Sequence, residues 1–180
     1  MSVPPTPVTP ERVVVDRVFV DQWSPTESAL MIADADGANA RKLIAGSERD
    51  YNASFSADGD WVVFTSERYE SADIFRVQPD GTGLERLTDH PAFDDQAVLS
   101  PDGTRLTFVS TRGGGSTDIY IKDLTSGQVR NITDTPGGDY RPRWSPDGER
   151  LAFSSDRGVP LPMAAGRWEH LHPVAVYVMD

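Results

Sequence analysis

A chain of 180 residues with 38% apolar, 25% charged and 9% aromatic residues has the composition of an ordinary globular protein. Its formal charge of −11 opposes approach to nucleic acid or an anionic membrane surface, and the absence of cysteine excludes disulfides, thiolate metal sites and a cysteine nucleophile. No apolar run reaches the roughly 18 residues of a membrane span, so membrane insertion is not expected. Twenty of the 28 acidic residues are Asp, which favours tight turns over helices, so the chain reads as rich in turns and poor in helix.

Residues 1–11 read as a Pro-rich leader without the basic and apolar regions of a secretory signal, and the compartment is left open. Residues 12–180 read as one all-β region. Val18-Phe-Val20 aligns with the second strand of a repeat whose landmarks then recur three times. Ser-Ala-Asp-Gly at 56–59 and Ser-Pro-Asp-Gly at 100–103 and 145–148 lie 44 and 45 residues apart. Asp50, Asp94 and Asp139 each stand six residues before that Ser, and Phe64, Phe108 and Phe153 eight after it. Leu30, Ile74 and Ile119 each precede Leu43, Leu87 and Ile132 by thirteen.

Each unit resolves into four short strands. The first is 52–55, 96–99 and 141–144, and the Ser-x-Asp-Gly turn follows it. The second is 61–65, 105–109 and 150–154, with Val62/Phe64, Leu106/Phe108 and Leu151/Phe153 marking one buried face. The third is 30–33, 74–77, 119–122 and 176–179. The fourth ends at Leu43, Leu87 and Ile132. Units of four antiparallel strands repeating every 40–50 residues or so are the mark of propeller blades. The predicted blades are 12–49, 50–93, 94–138 and an incomplete 139–180. About a dozen extra residues fall between its second and third strands, within an insertion at 158–175.

The pattern Ser-Pro-Asp-Gly-x-x-Leu-x-Phe-x-Ser-x-Arg, followed by Asp-Ile-Tyr and a Leu/Ile-Thr-Asp ending, resembles the WD40-like PD40 repeat of TolB-type β-propellers. Those repeats also occur in the propeller domains of prolyl-oligopeptidase-type peptidases. The resemblance covers residues 28–158 closely. It implies a fold rather than an activity. Closed propellers of this type resemble rings of six to eight blades, so three nearly complete blades with partial ones at both ends predict an open array. Its uncovered ends, at 13–20 and 176–179, invite self-association by edge pairing.

In such a blade the loops from strand two to three and from strand four to the next strand one lie at the same end. That end collects Asp50, Tyr51, Arg68, Asp94, Asp95, Arg112, Asp139, Tyr140, Arg141 and Arg157, together with the insertion and its Trp168 and His170. One expectation is a polar ligand or peptide site at the mouth of the central channel. The other is that each repeated Asp caps a turn and pairs with an Arg. Non-repeating residues escape the second reading, which directs attention to Trp168-Glu-His-Leu-His172. Its His-x-His pair shows no third fixed ligand, so no metal is expected, and Trp168 reads as an anchor or a stacking surface.

There is no Gly-x-Ser-x-Gly, His-Glu-x-x-His, P-loop or Gly-x-Gly-x-x-Gly, and no cofactor is implied. The reading is a non-catalytic scaffold presenting loops to a protein, peptide or small polar ligand. The alternative is the propeller of a serine peptidase or hydrolase whose catalytic domain lies outside this chain.

Overall fold

A computed structural model describes residues 28–47, 49–69, 71–114, 116–157 and 175–180. All regular structure among them is β. A hairpin, β1 (Met31–Ile32) and β2 (Arg41–Lys42), precedes two four-stranded meanders and a three-stranded one. The first meander is β3 (Asp50–Phe55), β4 (Val62–Ser66), β5 (Asp73–Val77) and β6 (Glu85–Arg86). The second is β7 (Asp94–Leu99), β8 (Arg105–Ser110), β9 (Asp118–Asp123) and β10 (Val129–Asn131). The last is β11 (Asp139–Trp144), β12 (Leu151–Ser155) and β13 (Ala175–Met179). Every pairing within these sheets is antiparallel. The chain is therefore an open stack of propeller blades, two of them with all four strands among the described residues. The predicted strand at 18–20 lies outside the described residues.

The first strands begin two residues earlier than the sequence pattern indicated. Asp50, Asp94 and Asp139 are strand residues, opposite Ser66, Ser110 and Ser155, rather than loop residues. Two of the second strands correct a second expectation: β4 is buried along its whole length and β8 from Leu106 on, so the alternation marks a single covered face only in β12. Val62 and Phe64 face the preceding hairpin and pack with Leu30, Leu43, Ile44, Phe75 and Val77. Val63 faces forward with Ile74 and Leu87, and meets Ala97, Leu99, Leu106, Phe108 and Tyr120 of the next sheet. A central strand of a stacked blade is covered on both sides, and its sequence becomes a continuous apolar run.

The stacking polarity repeats. Ile74 and Ile119, both at 0% exposure, point toward the following sheet. Their counterpart Val176 is 75% exposed, and Val178 beside it 65%, on the outer face of the three-stranded sheet.

The turns after the first strands are built alike. The Ser100 hydroxyl donates to Asp102 Oδ1 and accepts from Arg105 N at 3.0 Å, while Thr104 N donates to the same Asp102 oxygen at 3.1 Å. Ser56 with Asp58 and Ser145 with Asp147 repeat the arrangement. Gly103 closes the turn at φ 70°, where a Cβ is disfavoured. The Ser100 hydroxyl bond, backed by the bonds from Thr104, holds the Asp102 carboxyl down at about 2; Asp58 and Asp147 are lowered chiefly by their own Ser.

A carboxyl depressed in the folded state contributes stability that is complete above its unfolded value of 3.8 and lost as pH falls through about 2. Thermal melts in a pH series are expected to fall in that window. Ser100→Ala should melt below the parent above pH 4 or so and converge on it toward pH 2. Parallel curves across the series would refute this account.

Candidate functional site

The three repeated aspartates are placed alike. Asp50, Asp94 and Asp139 are buried at the starts of β3, β7 and β11. Both oxygens of each accept from one Arg Nη2 of its own sheet: Arg68 at 2.9 and 2.8 Å, Arg112 at 2.9 and 2.7 Å, Arg157 at 2.9 and 3.0 Å; Asp50 accepts also from the Ser47 hydroxyl and Asp139 from that of Thr135. The same arginines donate Nε to Ser66, Ser110 and Ser155. Their guanidinium groups lie over aromatic rings, as Arg112 does 5.0 Å from the Phe108 centroid and 5.1 Å from that of Tyr120. These six charged side chains thus tie the first strand of each sheet to the loop after its second.

The neighbouring residues divide. Tyr51 donates its hydroxyl to Glu67 Oε1 at 3.0 Å. Asp95 is buried and accepts from Asn52 Nδ2 at 2.7 Å and Thr65 Oγ1 at 2.6 Å, a bond set that joins two adjacent sheets. Tyr140 is half-buried, and burial raises its phenol above the usual value, with the Asp156 and Asp139 charges adding to the rise. Arg141 is exposed, and its backbone N donates to Gln96 Oε1 at 2.8 Å across the sheet boundary. Trp168, His170 and nearly all of the 158–175 insertion lie outside the described residues. Among the described residues no group of three or more His, Asp or Glu side chains is placed to hold a metal ion.

The structure joins Arg141, which the sequence pattern placed at this end, to residues that the pattern did not mark. Each first strand carries a bulge, between Tyr51 and Ser54, Asp95 and Val98, and Tyr140 and Arg143. The bulged residues Asn52, Gln96 and Arg141 have left-handed backbones, with φ of 53°, 54° and 54°. Such a conformation is uncommon outside glycine and persists where surrounding structure imposes it. It turns three successive first strands toward a shared cavity of about 160 Å3, lined by Asn52, Ala53, Ser54, Gln96, Ala97, Arg141 and Arg143. The backbone device is identical in all three sheets, yet its residue changes from Asn to Gln to Arg. The 44- and 45-residue spacing of these positions was readable; their left-handed geometry was not, because nothing in the residue types demands it.

A larger cavity of about 350 Å3 lies between the last two sheets, lined in part by Arg105, Ile121, Trp144, Leu151 and Met179. Met179 stands where Lys122 bridges the preceding sheet boundary by donating to the Leu87 carbonyl at 2.7 Å. Arg130, Asn131, Glu149 and Asp180 complete its polar lining.

A family model described as PD40, TolB beta propeller domain, matches residues 97–160. A curated relative, the protein TolB homolog of Chlorobium luteolum, is 33% identical over 117 residues, covering 59% of this chain and 27% of that protein. The Tol-Pal system protein TolB of Francisella tularensis is 28% identical over 99 residues, covering 54% of this chain and 23% of that protein. The chain thus spans about a quarter of the length of these curated relatives. Among solved structures, a putative TolB from Agrobacterium tumefaciens superposes with a TM-score of 0.69 at 27% identity, over 86% of this chain and 53% of that one. Puromycin hydrolase superposes with a TM-score of 0.59 at 19% identity, over 72% of this chain and 21% of that one, a likeness of fold alone. Repeat sequence, blade geometry and these likenesses agree on a β-propeller fold whose repeats resemble the PD40 repeats of TolB-type propellers.

Proposed function

We propose that this array is a non-catalytic binding scaffold whose inner wall, at the end carrying Asp50, Asp94 and Asp139, receives a protein or peptide partner. The observation that carries this reading is the contrast between two sets of polar residues at that end. The repeated Asp and Arg pairs bond to each other and to framework serines in every sheet, whereas Asn52, Gln96 and Arg141 vary on one fixed backbone frame. A rigid scaffold that varies its side chains at structurally equivalent positions is how propellers and other repeat folds present a recognition surface. A relative bearing the name Tol-Pal system protein favours a protein partner over a small polar ligand.

A photoreactive residue placed at Gln96, in the full protein expressed in its own cells, is expected to cross-link one defined protein. The same residue at Thr125, in the turn between β9 and β10 at the opposite end of the sheet, is expected to leave that band absent. Equal labelling from both positions, or none from Gln96, would overturn the reading. The hydrolase alternative has a separate test, since it requires about 250 further residues of alternating helix and strand with a Gly-x-Ser-x-Gly elbow in the coding sequence.

A further inference from the structure

Resting on that choice of site, we infer that the corner formed by Gln96, Arg141 and Arg143 binds a carboxylate group. The inference starts from where the arginines of this chain place their charge. Arg68, Arg76, Arg86, Arg112 and Arg157 each form an ion pair with an Asp or Glu. Arg141 and Arg143, like Arg41, Arg49, Arg105, Arg130 and Arg150, form none with any described residue, although the chain as a whole carries a net charge of −11. Both line the same cavity, and no acidic side chain lines it with them. The one hydrogen bond of the Arg143 guanidinium, Nη1 to the Pro142 carbonyl at 2.9 Å, uses a single donor of the five it carries.

The rest of the wall supports an anion rather than a cation. Gln96 Oε1 is taken by Arg141 N at 2.8 Å, which fixes the amide and leaves its Nε2 as the free donor end. Ser54 donates its hydroxyl to the Ala97 carbonyl at 3.1 Å, and Asn52 donates Nδ2 to buried Asp95 at 2.7 Å, which leaves the Asn52 Oδ1 as an acceptor end beside these donors. The groups left to meet a ligand are therefore chiefly donors. A volume of about 160 Å3 equals roughly five waters of liquid, enough for a carboxylate and the carbons that bear it. The guanidinium fork matches a carboxylate in two parallel bonds, and the chain's overall negative field is screened beyond about 8 Å at physiological salt. Left-handed backbone at Arg141 holds its side chain on the cavity side of the bulge, a strain of the kind retained where it places a functional group.

The carboxylate can belong to an acidic stretch of the partner or to a free polycarboxylate, and calorimetry on the full protein separates the two. The probes are an amidated penta-aspartate peptide, its penta-asparagine counterpart and tricarballylate. Penta-aspartate is expected to bind and penta-asparagine not. Arg141→Gln with Arg143→Gln together should weaken penta-aspartate binding at least tenfold, with an unchanged melting temperature because both side chains are exposed. Lys42→Gln, in β2 of the first hairpin, should leave binding as it was. Tighter binding of the peptide assigns the site to a polypeptide ligand, and tighter binding of tricarballylate assigns it to a free acid; either supports the site.

No binding of either acid, or equal binding by the double variant, overturns it. The cross-linking result stands apart from these. A partner still captured from Gln96 in the double variant would sink the carboxylate site while leaving the scaffold reading intact. Carboxylate binding that is lost in the double variant, with no partner captured, would do the reverse.

Discussion

Arg112→Ala is expected to destabilise the protein by about 3 kcal/mol while leaving ligand binding by the folded fraction unchanged. The reason is the environment of its partner. Asp94 has 0% of its side chain exposed, and the 2.7 Å pair with Arg112 supplies the compensating charge for a carboxylate removed from water. Removing the arginine leaves that carboxylate buried beside a hole, whereas a pair replaced as a unit would cost far less. The ring contacts add to the loss, since the guanidinium also covers Phe108 and Tyr120. Arg112→Lys keeps the charge but neither the fork nor the flat stack, so an intermediate loss is expected. Chemical denaturation of the parent and both variants measures the order. A variant that lost ligand binding at full stability would instead place Arg112 among the contacts to the ligand.

The blade architecture was legible in the sequence because its determinants are local and repeat. Gly103 and its equivalents need a turn, the Ser and Asp before them hydrogen-bond within it, and Phe64, Phe108 and Phe153 hold one register. The Asp and Arg partnership was legible for the same reason, since each pair spans the same 18 residues. Strand boundaries slipped by two residues at Asp50, Asp94 and Asp139 because a buried Asp at a strand start looks, in sequence, like a turn residue. The single buried face assigned to the second strands failed at Val63 and Val109, which are covered by the next sheet. That burial depends on stacking and has no signature within one blade. The cavity was illegible for a related reason: the spacing of Asn52, Gln96 and Arg141 marks them as equivalent, but only the left-handed backbone they share turns them toward one cavity.

Phe108→Ala is expected to cost about 4 kcal/mol, the largest effect of any single apolar truncation in the stack. Phe108 is fully buried in β8, its ring stacked 6.0 Å from that of Tyr120, and it packs forward of Val63, Ile74 and Leu87 of the preceding sheet. Removing the ring opens a cavity that the flanking strands cannot close, because both sides of β8 are held by backbone pairing to β7 and β9. Phe55, 59% exposed at the end of β3, is the internal control, and Phe55→Ala should change stability by less than 1 kcal/mol or so.

The consequence extends past the mutated sheet. In a stack whose stability is a sum of unit and nearest-neighbour terms, the middle unit contributes two boundaries. Loss of packing at Phe108 should therefore lower hydrogen-exchange protection in β4 and β5 of the sheet before it as well as in β9 of its own. Phe153→Ala, in a sheet whose outer face leaves Val176 and Val178 exposed, should lower protection in β12 and β13 while sparing β4 and β5. Equal loss of protection across all sheets for both variants would mean that the array unfolds as one cooperative unit, and the nearest-neighbour account would fail.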